Sequence, residues 1–354
     1  MTEGDQPTRG QGRNAARLLT GVLIAILVVT AAAGWFLVDQ RRALDEPLAV
    51  PRDGLEYMLP AGASLNRVAQ DLAASGVLAN PRALVIYARW YGRAGAIKTG
   101  EYRIDAGTTA ITLLEQLVAG RVVQHALTLV EGWTFEQMMT AVAADQRLEQ
   151  TLTGLEADEI MARLGFAGVH PEGRFLPDTY YFTRGTSDVA FLRRAYRAMS
   201  DFLAGAWAGR EQGLPFKTPE EALILASIVE KETGEAGERP RIAGVFVKRL
   251  RKGMRLETDP TVIYGLGDAF DGRLRRRDLR DDTPYNTYVR KGLPPTPIAM
   301  PGAAAIRAVL HPLVDSALFF VAKGDGSHYF SATYEEHQRA VERYQKRRHR
   351  SSGG

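Results

Sequence analysis

The chain has 354 residues, a formal charge of +4, no cysteine and six histidines. Without cysteine there are no disulfides, thiolate catalysis, Cys-based zinc sites or thiol-linked lipids. The small charge gives little reason to expect a nucleic-acid partner. No histidine pair shows the H-x-x-x-H spacing of a zinc helix, and neither a Walker A sequence nor a strand-to-helix G-x-G-x-x-G occurs, so neither metal nor cofactor is expected.

In chain order, residues 1–17 carry Arg9, Arg13 and Arg17, and a charge-free apolar run follows from Leu18 to Val38. As a helix this run measures about 31 Å, enough for a hydrocarbon core of about 30 Å. Ala31-Ala32-Ala33 resembles a signal-peptidase site, but the run continues through Trp35, Phe36 and Leu37. It outlasts an ordinary cleaved signal, so the expectation is an uncleaved signal anchor over 18–38. The basic residues lean toward a cytoplasmic N-terminus, with the rest of the chain outside the inner membrane. Residues 39–54 are polar with two prolines and read as a linker.

Three short apolar segments, Tyr57–Pro60, Tyr102–Asp105 and Leu127–Val130, are each followed by Gly-x-Ser/Thr and then a helical pattern. Glycine permits the turn and the hydroxyl caps the next helix. The helices predicted are Leu65–Ala74, Ile111–Val118 and Phe135–Val142, with a further one over Pro81–Tyr91. Residues 55–125 resemble a LysM-like βααβ module that binds glycan, although packing-only βα units would give the same pattern.

From 126 to 346 helical patterns dominate: Ala157–Leu164, Asp188–Ala204, Pro219–Thr233, Arg239–Arg251 and Ala303–Leu310. Leu318–Ala322 and His328–Ala332 flank Gly324-Asp-Gly326 as a hairpin, and an amphipathic helix runs from Tyr334 to Lys346. The basic run Arg273–Arg277 adjoins Asp278, Asp281 and Asp282 and reads as a charge-balanced loop. Residues 347–354 read as a solvated, disordered tail. The fold class is α+β: one transmembrane helix, the LysM-like subdomain, then a mixed α/β catalytic domain.

The most informative helix is Pro219–Thr233. Thr218 is a good N-cap, Pro219 suits N1, Glu221 closes a capping box, and Gly234 is a plausible C′ residue. Ala222–Val229 is apolar on every side, which marks a buried helix. Glu230 lies beside Leu223 and Ala226 at about 100° per residue. Burial and the negative helix end both disfavour its charge and raise its pKa, which suits a general acid near neutral pH. An ion pair with Lys231, Arg239 or Arg241 is the bland alternative. Glu232 sits about 160° round the helix from Glu230 and reads as an ion-pair partner or a site residue.

Several stretches resemble one family, the endolytic murein transglycosylases of the MltG type (YceG-like). They are Ser227–Thr233, Arg249–Gly265, Tyr285–Tyr288, Gly292–Ile298, Pro301-Gly302 and Pro177-Asp178-Thr179. Thr296 replaces a glycine common in the family. The resemblance implies cleavage between N-acetylmuramic acid and N-acetylglucosamine inside peptidoglycan glycan strands. It further implies 1,6-anhydro ends, a part in ending strand elongation, and peptidoglycan synthases (penicillin-binding proteins) as partners. By this analogy Glu230 is the catalytic residue. Substrate-binding candidates are Asp178, Tyr180, Glu232, Thr258, Tyr264, Tyr285, Asn286 and Tyr288, because amides, hydroxyls and aromatic rings suit sugars. Asp259-Pro260 reads first as an N-cap with proline at N1. The competing readings are a non-catalytic wall-binding scaffold that recruits synthases, and a soluble cofactor-dependent lyase of a small metabolite.

Overall fold

The computed structural model describes residues 11–346. The first ten residues and the tail expected at 347–354 lie outside the described residues. The fold is mixed α and β, in two compact units divided between Val123 and Gln124.

The first unit begins with α1 (Gln11–Asp45), one continuous 35-residue helix. Its apolar portion is long enough to cross a membrane, and among the described residues none of its most apolar window is buried. The stretch expected as a linker is structured. Leu44 and Leu48 are buried in the unit's core, and the Leu48 N–H donates to the Thr108 carbonyl at 2.8 Å. The reason is that Leu44, at the end of α1, and Leu48, just beyond it, both find the unit's core, with Val50 packed alongside.

β1 (Leu55–Leu59) is followed by α2 (Leu65–Ala74), α3 (Pro81–Trp90) and β2 (Gly100–Ile104). The two strands pair antiparallel, Tyr57 opposite Tyr102, so the order is βααβ. Ser64 and Asn80 accept from N–H groups three residues on and cap α2 and α3. α4 (Ala110–Ala119) is capped by Thr109 and completes the unit. Its Leu113, Leu114 and Leu117 meet Val68, Leu72 and Leu84 in one apolar core.

The second unit opens with β3 (His125–Thr128), α5 (Phe135–Ala144) and α6 (Ala157–Leu164). β4 (Thr179–Phe182) pairs antiparallel with β3 and was not predicted. Four residues with mixed exposure carry too little alternation, and the partner strand lies about fifty residues back. α7 (Asp188–Ala208) links two cores: Phe191, Leu192 and Ala195 pack with α5 and α6, while Met199 and Leu203 pack with α8 (Pro219–Glu232). α9 (Arg239–Arg251), α10 (Asp259–Leu266) and α11 (Ala303–Leu310) surround α8. β5 (Phe319–Ala322) and β6 (His328–Ser331) form a hairpin, and α12 (Tyr334–Val341) continues as a π-turn through Lys346.

Two helix ends differ from the expectation. Gly234 is not in the left-handed region; α8 stops because Thr233 turns extended, at φ −143°. The residue capping α10 is Thr258, with Asp259 and Pro260 inside the first turn. Asp259 is therefore not an N-cap, and its carboxylate is directed elsewhere.

Candidate active site

α8 starts at its Thr218 cap, but the Glu221 carboxylate accepts from the Lys217 N–H, so the expected capping box is not closed. The Thr218 hydroxyl accepts from the Glu221 N–H at 3.3 Å, and every residue from Ala222 to Val229 is buried. The Ser227 hydroxyl is satisfied inside the core, donating to the Ile224 carbonyl at 2.7 Å and accepting from the Ile298 N–H at 3.0 Å. The helix thus delivers Glu230 and Glu232 at its C-terminal end on opposite sides, where the dipole disfavours negative charge.

Glu230 faces a clasp. Its side chain is only 5 % exposed. Arg239 Nη2 donates to Oε1 at 3.0 Å, and the Gly302 N–H donates to Oε2 at 3.0 Å. Glu131 shares the guanidinium at 3.7 Å. Burial above all, with Glu131 adding to it, holds the Glu230 pKa above its ordinary value, and the Gly302 N–H and Arg239 oppose that rise without cancelling it. Both carboxylate oxygens are therefore occupied by donors that prefer the ionised form. Gly302 is tied to this arrangement, because a Cβ there would collide with the Glu131 carboxylate. Lys231 Nζ donates to the Gly132 carbonyl at 3.1 Å.

Glu232 faces a cavity of about 340 Å³, lined with Arg249, Asp259, Tyr288, Phe319 and His328 among others. Glu232 is half-buried in the cavity wall, and burial pushes its carboxyl pKa up to about 7. The Thr258 hydroxyl, His328 and Arg249 act in the opposite direction, and Asp259 adds to the rise. The Thr258 hydroxyl donates directly to Oε1. The Tyr288 hydroxyl donates to Asp259 at 2.6 Å, and burial followed by this hydrogen bond raises the tyrosine pKa. Arg249 is fixed in the wall by the carbonyls of Leu256 and Leu318, each at 2.8 Å. His328 Nδ1 lies 2.7 Å from Glu238 Oε2.

The turn before α10 is held in an uncommon conformation. Glu257 has φ +52°, the one non-glycine residue with positive φ among the described residues. The Glu257 N–H donates to the Thr287 carbonyl at 3.2 Å. The Thr258 N–H donates to Thr287 Oγ1 at 3.1 Å, and Thr261 Oγ1 lies 2.9 Å from the same atom. Such strain persists where surrounding contacts over-determine it, and it clusters at functional sites. Here it aims the Thr258 hydroxyl at Glu232.

Of the candidates read from the sequence, Glu232 and Tyr288 line this cavity, and the buried Thr258 is bonded to Glu232. Asn286 is fully buried: its amide N–H groups reach the Asp278 and Asp281 carbonyls at 3.1 and 2.7 Å, and its Oδ1 accepts from the Tyr288 N–H at 2.9 Å. It shapes the loop that presents Tyr288. Tyr264 and Tyr285 form a second cluster, with ring centroids 4.9 Å apart. Tyr264 donates to Glu172 at 3.2 Å, and Tyr285 meets Thr296 at 2.8 Å. Tyr180 donates to the Leu176 carbonyl at 2.8 Å, and Asp178 accepts from the adjacent Thr179 N–H at 2.7 Å. Neither lines the cavity.

Sequence reasoning missed Arg249, Phe319 and His328 as cavity residues. Arg249 stands within a family motif, which was a usable signal; the hairpin residues carried none. It also missed Glu172, a buried carboxyl that accepts from the Phe135 N–H at 3.0 Å and is raised to about 7 by burial.

The features define a class: a mixed α/β protein with one long apolar N-terminal helix and a polar cavity closed around a helix-end glutamate. The chain belongs to the YceG-like family, which it matches over residues 57–343. The endolytic murein transglycosylase of Bacillus subtilis (strain 168) is 30% identical over 303 residues, covering 81% of this chain and 83% of that protein. The endolytic murein transglycosylase of Streptococcus pneumoniae D39 is 25% identical over 358 residues, covering 90% of this chain; the match spans 63% of the pneumococcal protein's length. The crystal structure of a yceG-like protein from Listeria monocytogenes is similar with a TM-score of 0.51 and 28% identity, over 82% of this chain and 100% of that one.

Proposed function

We propose that the chain is a membrane-anchored endolytic transglycosylase of peptidoglycan, a lyase, and that Glu232 is its acid–base residue. The observation that carries this reading is the contrast between two neighbouring glutamates. Glu230 is held by a guanidinium and a backbone N–H. Glu232 has a pKa of about 7 and opens onto a cavity. A general acid needs a proton at neutral pH and room for the bond it cleaves. The family resemblance points to Glu230 for this role; we propose Glu232 in its place because Glu232 adjoins a cavity and Glu230 does not line it. Glu230 instead fastens the end of α8 to the starts of α9 and α11.

The chemistry needs one carboxyl. Protonated Glu232 gives its proton to the oxygen linking muramic acid C1 to the next sugar, and that bond breaks. The C1 centre becomes oxocarbenium-like. Ionised Glu232 then takes the proton from the same sugar's C6 hydroxyl as that oxygen bonds to C1. The proton balance closes on Glu232, water is not consumed, and the product ends in a 1,6-anhydro ring. Tyr288 offers an aromatic ring to a pyranose, while Phe319, itself stacked on His337, shapes the wall. Thr258 steadies the carboxylate formed midway.

The names of the relatives support murein as the substrate. The apolar stretch of α1 serves as the anchor, with the N-terminus cytoplasmic and both remaining parts beyond the inner membrane. The βααβ portion of the first unit is a LysM-like glycan holder, and peptidoglycan synthases supply the nascent strands that the enzyme ends.

The test is to incubate the full chain and the single variants Glu232→Gln and Glu230→Gln with glycan strands, and to quantify anhydromuramyl ends by mass spectrometry. Glu232→Gln loses about 10²- to 10⁴-fold, while folded Glu230→Gln still gives anhydro ends. The reverse pattern would move the chemistry to Glu230. No anhydro ends from the unaltered chain would favour the non-catalytic scaffold.

A further inference from the structure

The outer face of α3 has no described partner. Ile86, Trp90 and Tyr91 are 61%, 79% and 53% exposed. Large apolar side chains grouped this way mark an interaction surface. The group borders a groove of about 450 Å³ between α3 and the Gln40–Leu44 stretch of α1. Asn80 Nδ2 donates to Gln40 Oε1 across it at 2.7 Å, and Leu44 is buried in the core beneath.

The position of the groove along α1 identifies its occupant. The charge-free run ends at Val38, so Gln40 and Leu44 lie about 3 and 9 Å further along the helix axis. A headgroup layer is about 6 Å thick on each side of the hydrocarbon core. α3 is therefore fastened to α1 from headgroup depth, at Gln40, to just outside that layer, at Leu44. Tryptophan and tyrosine favour that depth. The same face carries Arg82 and Arg89, both exposed, and neither forms an ion pair among the described residues. Arg41, also at the groove, has only a 4.0 Å contact with Asp45. Asp39, Asp45 and Glu46 are the acidic groups nearby in sequence, so basic groups predominate on the exposed face itself.

We propose that this face is a membrane-interface surface: Ile86, Trp90 and Tyr91 enter the headgroup layer of the bilayer that α1 spans, and Arg82, Arg89 and Arg41 take anionic lipid phosphates. It rests on the reading that α1 is an anchor. Docking there restrains the first unit against the bilayer instead of leaving it to swing on α1.

The chain has no cysteine, so single labels are unambiguous. Full-length Val28→Cys and Ile86→Cys chains, each carrying an environment-sensitive fluorophore, are reconstituted in nanodiscs containing phosphatidylglycerol. Quenching is read with chain-brominated and headgroup-nitroxide lipids. The Val28 label is expected to be quenched by the chain bromines, and the Ile86 label at least twofold by the headgroup nitroxide. Adding Trp90→Asp to the Ile86→Cys chain should halve that quenching. A quenched Val28 label with an unquenched Ile86 label overturns the inference, leaves the anchor standing and assigns the face to a protein. If neither label is quenched, the anchor falls and the inference with it.

Discussion

Replacing Glu232 by glutamine should abolish activity and, above neutral pH, make the protein more stable. The folded carboxyl has a pKa of about 7 against an ordinary 4.5. Between those values the native chain keeps a proton that the unfolded chain has released. The stability this group contributes is full below pH 4.5 and is lost as pH rises through 7. The separation corresponds to about 3 kcal/mol at about 1.4 kcal/mol per unit. Glutamine does not titrate, and its amide oxygen still accepts from Thr258. The variant's stability relative to the parent should therefore climb by about 3 kcal/mol from pH 4.5 to pH 8, or roughly 6–12 °C in Tm for a unit of this size. Thermal unfolding of both full chains at the two pH values measures it. A Tm difference that does not change with pH would mean that Glu232 titrates as an ordinary carboxyl, and the argument for it as a proton donor would fail.

Other expectations follow from the same geometry. In the mechanism proposed above the cleavage step uses protonated Glu232, so kcat/KM should fall as pH rises past about 7. In Thr258→Val the hydroxyl that favours the carboxylate is gone, so the alkaline limb of that profile should move upward. Arg239→Ala leaves Glu230 buried with only the Gly302 N–H; it should cost about 3 kcal/mol in denaturant unfolding while folded protein still yields anhydro ends. Gly244→Ala would drive a Cβ into the Leu313 carbonyl where α9 meets the loop after α11; a loss of about 1–3 kcal/mol is expected by the same method, and an unchanged midpoint would show that this contact has slack.

Much of the helical framework could be read in the sequence because caps and apolar periodicity are local. Ala157–Leu164, Arg239–Arg251 and Ala303–Leu310 begin and end where their patterns do. The site was only half legible. Periodicity put Glu230 and Glu232 on different faces, but it carries no information about what comes to rest against either face past the end of the helix. Arg239 arrives from the next helix and Gly302 from a loop seventy residues on, so the glutamate on the apolar side became the paired one. His328 and Phe319 reach Glu232 on a hairpin that looked structural. Asp259 and Thr258 exchanged roles because proline fits the second helical position as readily as the first.

The cavity around Glu232 draws its walls from two distant stretches of chain, the end of α8 with the turn before α10, and the hairpin from Phe319 to Ser331. Its shape therefore exists only when both stretches have folded against each other. A chain clipped before Leu318 would keep α8 and the clasp on Glu230 yet lose one side of the cavity. The chamber is in this sense a readout of complete folding, since a half-folded chain would carry the carboxyl without the walls around it.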